Sequence, residues 1–196
     1  MNENTIIDNF QKRKYVESLA EANKAKGKDI RIAIFYKYFI YEASGNEEQR
    51  KKTYDRVFKY RGYSRADIYY KFAFYGKKLI NLVTAFYSVN DILRFIEEAL
   101  EVNIKHAGAN FLKGEILIER GRLQGGFDLI NNACKLKKSL LIDKERLLLN
   151  FSPFSKSKKD LRILEKEVES IKINSKNRVR LYFAKLILNI EASNKQ

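Results

Sequence analysis

The chain has 196 residues, of which 45% are hydrophobic and 32% are charged, and this composition excludes a disordered protein and is sufficient for a buried core. One proline and nine glycines are too few for a loop-rich β-sandwich, and one cysteine with one histidine excludes an internal disulfide and a zinc site. The formal net charge of +15 favours partners that are acidic or carry phosphate.

The N-terminal segment predicts a soluble, cytoplasmic protein. Glu3 and Asp8 lie where a signal peptide requires a basic start followed by an apolar block. The longest uncharged stretch, from Leu79 to Asn90, has 12 residues, which is too short to span a bilayer. We therefore expect no membrane span.

Helical periodicity recurs along the whole chain. Ser64 with Asp67, and Ser157 with Asp160, have the spacing of a capping box, in which the serine oxygen accepts a backbone N–H of the first helical turn. Glycines that favour a left-handed helix end follow three apolar runs, at Gly45, Gly62 and Gly121. The pattern predicts helices at about 5–24, 29–44, 47–60, 65–87, 91–103, 107–120, 123–137, 141–151, 158–172 and 176–192.

One segment is also compatible with a β-strand. The stretch from Ile30 to Tyr41 is rich in isoleucine, phenylalanine and tyrosine, which suit a buried strand. No second run of this kind is available to pair with it. We therefore predict a buried helix here and an all-α protein, whose short connections place neighbouring helices antiparallel as hairpins.

Between residues 114 and 133, small and large side chains alternate at regular spacing. Small residues allow the two helices of a hairpin to approach, and large residues fill the space between hairpins. The residues in question are Gly114, Leu117, Gly121, Leu123, Gly126, Ile130 and Ala133. This pattern resembles the tetratricopeptide repeat (TPR), whose period is about 34 residues.

A step of 34 residues towards the N-terminus gives a second, imperfect copy. Ile96 then aligns with Ile130 and Ala99 with Ala133, but isoleucines stand where two small residues are expected, at Ile80 and Ile92. The resemblance implies a TPR-like αα-hairpin solenoid of nine or ten helices in a single domain, 1–196. Its best repeats are 76–109 and 110–138, its looser repeats are 29–63 and 141–172, and its capping helices are 1–24 and 176–192. The alternative is an array of helical hairpins without kinship to that family.

The residues that could take part in catalysis or metal binding do not form a constellation typical of an enzyme. His106 lies between two predicted helices, and Cys134 occupies an apolar position typical of a core thiol. The glycine-rich segment 121–126 lacks the lysine and hydroxyl residue of a phosphate loop. Acid clusters at 97–98 and 165–169 have the pattern of solvated helix faces. We predict a non-enzymatic protein with no cofactor and no metal.

The segment from Arg50 to Lys78 carries ten basic residues against Asp55 and Asp67, and tyrosines are interleaved with them. Exposed rings could stack on bases while the cations hold phosphates, and this is the basis of an alternative function in nucleic-acid binding. The other interpretation is that the tyrosines belong to the core and the cations only solubilise the protein. The candidate nucleic-acid contacts are Arg50, Lys51, Lys52, Arg56, Lys59, Arg61 and Arg65.

The resemblance to the TPR family implies a different role, a scaffold that binds a partner segment in a concave groove. In one TPR subgroup, lysine, asparagine and arginine side chains grip an acidic C-terminus; Lys77, Asn81 and Arg146 match that pattern, whereas Leu112 and Ile142 depart from it. We therefore predict a groove formed by helices 65–87, 107–120 and 141–151 that takes a protein or peptide, which is possibly acidic. Its candidate contacts are Lys77, Asn81, Asn110, Lys113 and Arg146.

Overall fold

A computed structural model describes residues 1–80, 89–150 and 158–171, in which all regular secondary structure is helical and no strand is present. The all-α prediction is therefore confirmed. Two short 3-10 turns occupy Gly27–Asp29 and Lys138–Leu140. The α-helices are α1 (Glu3–Gln11), α2 (Tyr15–Asn23), α3 (Ile30–Ala43), α4 (Glu47–Phe58), α5 (Arg65–Ile80), α6 (Val89–Val102), α7 (Ala107–Glu119), α8 (Leu123–Leu136), α9 (Leu141–Asn150) and α10 (Lys158–Glu169).

The chain divides into two compact units, Met1–Ala109 and Asn110–Gln196, and the boundary falls within α7. The N-terminal unit has an aromatic core. Phe72 of α5 lies at its centre, with its ring 5.0 Å from the ring of Phe35, 5.3 Å from Tyr54 and 5.1 Å from Phe95, measured between centroids. These contacts join α3, α4, α5 and α6, because each of the four rings belongs to a different helix.

The C-terminal unit has a mostly aliphatic core. Buried side chains from α7, α8, α9 and α10 form it, namely Phe111, Ile118, Leu123, Phe127, Ile130, Ala133, Cys134, Leu148, Leu161, Leu164 and Val168. Cys134 is therefore a buried core thiol, and burial raises its pKa.

The predicted start and stop signals are present wherever the structure describes them. Asp67 donates its backbone N–H to Ser64 Oγ at 3.1 Å, and the Asp67 carboxylate in turn accepts the Ser64 N–H at 3.1 Å. Glycines at the three predicted helix ends adopt positive φ, at Gly45 (74°), Gly62 (97°) and Gly121 (78°). The second predicted box, at Ser157, and the predicted helix 176–192 lie outside the described residues.

The prediction of one helix over 5–24 is wrong, because α1 and α2 form a hairpin. Arg13 adopts a φ of 59° between them and turns the chain back. Ser18 is fully buried on α2 and donates its hydroxyl to the carbonyl of Ile6 at 3.0 Å, which fastens the two helices together. Neither glycine nor proline marks this turn, so no residue in it predicts a helix break.

Ile30 to Tyr41 is helical, as predicted. In α3 the buried side chains are Ala33, Ile34, Phe35, Tyr36, Tyr38, Phe39 and Ile40, so this helix is covered on nearly every side. A helix that is apolar all round belongs in the interior, which explains why its sequence lacked a clear period.

Two hairpins contain a glycine at a point of close helix approach. A Cβ atom added to Gly114 would lie 2.6 Å from the carbonyl oxygen of Gly126, and one added to Gly126 would lie 2.7 Å from the carbonyl oxygen of Gly114. In the hairpin of α5 and α6 the glycine is Gly76, where a Cβ would lie 2.5 Å from Ile92 Cδ1. The 34-residue step from Gly114 predicts a small residue at position 80, where the chain has Ile80. Gly76 lies one helical turn before that position.

Candidate functional site

The predicted groove residues are distributed over both units of the chain. Lys77 lies half-buried on α5, whereas Asn110 and Lys113 are half-buried on α7. Arg146 is exposed on α9, and its guanidinium Nη1 lies 3.5 Å from Asp143 Oδ1. Asn81 lies outside the described residues. The groove itself stays a prediction.

The predicted basic cluster is partly neutralised by neighbouring acids. Arg50 contacts carboxylate oxygens of Glu42 and Glu47, each at 3.5 Å. Lys52 is paired with Glu48 one turn away on α4. The other candidates, Lys51, Arg56, Lys59, Arg61 and Arg65, have exposed side chains.

Three of the six tyrosines in that segment belong to the core, and the other three, Tyr60, Tyr63 and Tyr70, are half-buried. Tyr69 and Tyr75 are buried, and Tyr54 stacks on Phe72 inside the aromatic core. Arg65 donates to the Tyr69 hydroxyl at 3.3 Å and so covers the edge of that ring. These rings are core residues and do not form an exposed platform for bases. Nucleic-acid binding therefore depends mainly on the phosphate contacts of the cations.

A pocket between α3 and α4 brings three cations together. It has a volume of about 320 Å³ and is formed by one stripe of side chains from each helix, together with the turn that precedes α3. We call it the α3–α4 pocket, and its lining residues are Ala25, Ile30, Ala33, Ile34, Lys37, Tyr41, Gln49, Lys52, Thr53, Arg56 and Tyr60. No lining residue is acidic. Lys52 and Arg56 belong to the predicted basic cluster, whereas sequence analysis did not single out Lys37.

The electrostatics of the α3–α4 pocket favour an anion. Burial of the Lys37 side chain, together with the nearby positive charge of Arg56, lowers the pKa of the Lys37 ammonium. Neither Lys37 nor Arg56 forms an ion pair within the described residues. Tyr60 contributes a hydroxyl that is shielded from solvent and has no hydrogen-bond partner in the same part of the chain. A negatively charged occupant would provide Lys37 and Arg56 with the counter-charge that they lack within the described residues.

His106 has a structural place at the start of α7. Its Nδ1 accepts the backbone N–H of Ala109 at 3.0 Å, and its Nε2 lies 3.1 Å from Asp67 Oδ1. Because Nδ1 acts as an acceptor, Nε2 carries the proton and donates it to Asp67. Burial alone would raise the pKa of Asp67, but the hydrogen bonds from Ser64 and His106 outweigh it and lower that pKa. His106 therefore caps a helix.

The prediction that the acids at 165–169 form a solvated face is wrong for Glu167. This residue is buried on α10, and its carboxylate Oε2 lies 2.6 Å from Lys144 Nζ of α9. Lys144 also donates to Asn131 Oδ1 at 2.7 Å and to Ser170 Oγ at 3.1 Å. The Asn131 amide of α8 donates to both Glu167 oxygens. We call these four residues the Lys144 network; every group in it has a partner, so its role is structural.

Glu98 is also not part of a fully solvated helix face, although within the described residues it has no cation paired with it as Glu167 has. It is half-buried on α6, its Oε2 atom has no hydrogen-bond partner in the described part of the chain, and burial raises its pKa. Glu42 on α3 has the same properties, and there the charge of Arg50 opposes the effect of burial. At Glu98 the charges of Arg94 and Arg65 likewise oppose the effect of burial.

Other kinds of site are not formed by residues 1–80, 89–150 and 158–171. No group of three or more histidine, cysteine or carboxylate side chains in these ranges is placed to hold a metal ion. No helix in them combines the length and the apolar character that crossing a bilayer requires. Comparison of the chain with protein-family models, with curated proteins and with solved structures gives no match. The resemblance to the TPR family therefore depends on the residues quoted above.

Proposed function

We propose that this chain is a cytoplasmic, non-enzymatic adaptor made of TPR-like αα-hairpin repeats, which binds an acidic segment of a partner protein. One observation carries the proposal. Ile96 and Ala99 of α6, and Ile130 and Ala133 of α8, are all completely buried, and the two pairs are 34 residues apart in the sequence. The same pair of residues thus serves as core in the second helix of two successive hairpins.

The close helix approaches support a repeat architecture. Gly114 and Gly126 bring α7 and α8 together backbone to backbone, and in the hairpin of α5 and α6 a small residue, Gly76, lies against the side chain of Ile92, one helical turn from the position that the 34-residue step predicts. Hairpins of this kind bury one face against each other and leave a long surface for a ligand. Proteins built in this way act mainly through that surface.

The charge of the chain supports an acidic partner. The net charge of +15 would steer such a partner towards the protein and accelerate the encounter. Arg146 is well exposed on α9 and is paired with Asp143 only at 3.5 Å, so a partner carboxylate can compete for its guanidinium. We assign Lys77, Asn81, Asn110, Lys113 and Arg146 as the contacts.

The test is to isolate and identify what the chain retains from a native lysate, with and without nuclease, and then to measure binding of the purified partner. Arg146→Ala and Lys77→Ala should each weaken binding by about tenfold, which is the loss of one charge-assisted hydrogen bond. Lys135→Ala removes an exposed cation of α8 and is the control, with an expected change below about twofold.

The competing function predicts a different outcome. If nuclease abolishes retention, and if Arg56→Glu with Arg61→Glu prevents it whereas Arg146→Ala does not, the ligand is a nucleic acid and the adaptor proposal is wrong. A steep decrease of affinity with salt would agree with that result, because phosphate contacts release counterions.

A further inference from the structure

We propose that the α3–α4 pocket is a binding site for a small phosphate ester, with the phosphoryl group held by Lys37, Lys52 and Arg56. This inference does not depend on the adaptor function, because the pocket lies wholly within residues 25–60. A volume of about 320 Å³ falls within the range of small-molecule sites, which begins at roughly 300 Å³.

The register of the hairpin brings the three cations to one level. Tyr38 and Tyr54 have ring centroids 5.9 Å apart, and Arg50 contacts Glu42 at 3.5 Å, so α3 and α4 run antiparallel with these pairs side by side. Lys37 is therefore level with the turn of α4 between Lys52 and Arg56. The latter two are one turn apart and line the same side of α4.

Lys37 and Arg56, which form no ion pair within the described residues, supply two positive charges that match a dianion. Lys52, which also contacts Glu48, adds a third donor. A phosphate monoester carries between one and a half and two negative charges at neutral pH, and it offers three acceptor oxygens. An arginine guanidinium can bind two of these oxygens in parallel, while lysine ammonium groups act as point charges. No carboxylate lines the pocket, although Glu48 pairs with Lys52 from outside it, so a phosphoryl group would compete with Glu48 for the Lys52 ammonium.

The opposite end of the pocket is apolar and suits an organic group. In the same register, Ile30 and Ile34 are level with Tyr60, and Ala25 closes that end. Ile30 is 43% exposed although it is a large aliphatic side chain, so a ligand covering it would remove apolar surface from water. A phosphate ester has a charged end and an organic end, and the pocket matches both.

The test is calorimetric titration of the full chain at low ionic strength with ribose 5-phosphate, inorganic phosphate, ribose and succinate. We expect saturable binding of ribose 5-phosphate at one site, binding of inorganic phosphate weaker by about tenfold, and no binding of ribose. Equal affinity for succinate would overturn the assignment of a phosphoryl group. Equal affinity for inorganic phosphate would overturn the role of the apolar end, and absence of saturation with ribose 5-phosphate would overturn the whole proposal.

Charge-removing variants locate the site. Lys37→Met and Arg56→Gln should each lower the affinity for ribose 5-phosphate by about tenfold or more. Lys105→Gln removes an exposed cation elsewhere in the same unit, and it should change the affinity by less than about twofold. Circular dichroism verifies that each variant keeps its helix content. An equal loss in Lys105→Gln would show that the attraction is only general, and would refute the site.

The phosphate-ester proposal and the adaptor proposal can be refuted independently of each other. Loss of phosphate-ester binding in Arg56→Gln, with retention of a protein partner, would support the pocket whatever the outcome for Arg146. Absence of phosphate-ester binding would leave the adaptor proposal unaffected, because its contacts lie on other helices.

Discussion

Removing the positive charge of Lys144 should destabilise the C-terminal unit more than removing the charge of an exposed lysine such as Lys135. The Lys144 side chain is 4% exposed and that of Glu167 is 8% exposed, so the ion pair is almost completely removed from water. All three N–H groups of Lys144 are used, by Glu167, Asn131 and Ser170. Lys144→Met therefore leaves a buried carboxylate without its cation.

The expected cost follows from that burial. Breaking one side of a buried ion pair typically costs about 3–5 kcal/mol in free energy of unfolding, because the remaining charge stays desolvated. Removing both charges together, in Lys144→Met with Glu167→Leu, should recover most of that loss, and the coupling energy of the double-mutant cycle should be about 2 kcal/mol or more.

The assay is urea unfolding followed by circular dichroism, in low and high salt. Arg146→Met is the matched control on the same helix, because the Arg146 side chain is 72% exposed and its pair with Asp143 is long; we expect a change below about 0.5 kcal/mol. Salt should affect the control and should leave the Lys144→Met difference nearly constant, since buried pairs are poorly screened. If Lys144→Met costs no more than Arg146→Met, the network does not hold α8, α9 and α10 together and the reasoning is refuted.

Three further predictions concern glycine packing, buried carboxyl groups and the thiol. Gly126→Ala should reduce the free energy of unfolding by about 1–3 kcal/mol, because its new Cβ meets Ile118 and the Gly114 carbonyl. Gly125→Ala should increase the free energy of unfolding by about 0.5–1 kcal/mol, because its new Cβ meets nothing within 4 Å. Equal effects of the two substitutions on the free energy of unfolding would contradict the close approach of α7 and α8. The raised pKa of Glu42 means that the folded state binds its proton more tightly, so this group's stabilising contribution is lost as pH rises through that pKa. Glu42→Gln should therefore raise Tm at neutral pH and lose this advantage in acid, and a constant difference from pH ~4 to ~8 would refute it. Cys134, being buried with a raised pKa, should react with a thiol reagent only at the rate of unfolding, and rapid labelling of the native protein would contradict the core assignment.

Local rules were sufficient where a single residue decides the backbone. Ser64 and Asp67 form the expected capping box, and Gly121 has the expected positive φ, because both effects depend on residues only a few positions apart. The burial of Ile130 and Ala133 was also predictable, since each lies on the apolar side of a strongly periodic helix.

Features that depend on distant partners could not be found in this way. Glu167 has acidic and basic neighbours in the sequence, which suggests solvent, and only the approach of α9 supplies Lys144. The α3–α4 pocket combines residues of two helices, and Lys37 belongs to a segment whose isoleucines, phenylalanines and tyrosines predict a buried helix. Arg13 adopts its turn conformation because α1 and α2 pack on each other, a tertiary cause that overrides local preference.

His106 and Asp67 make the beginnings of α5 and α7 a single cooperative element. The Asp67 carboxylate closes the first turn of α5 with Ser64 and also receives the imidazole that holds the first turn of α7. Fraying of either terminus releases a group on which the other relies, so amide protons in both first turns should exchange with solvent together. Substitutions at Ser64 and His106 should accordingly be non-additive, although 42 positions separate them along the sequence.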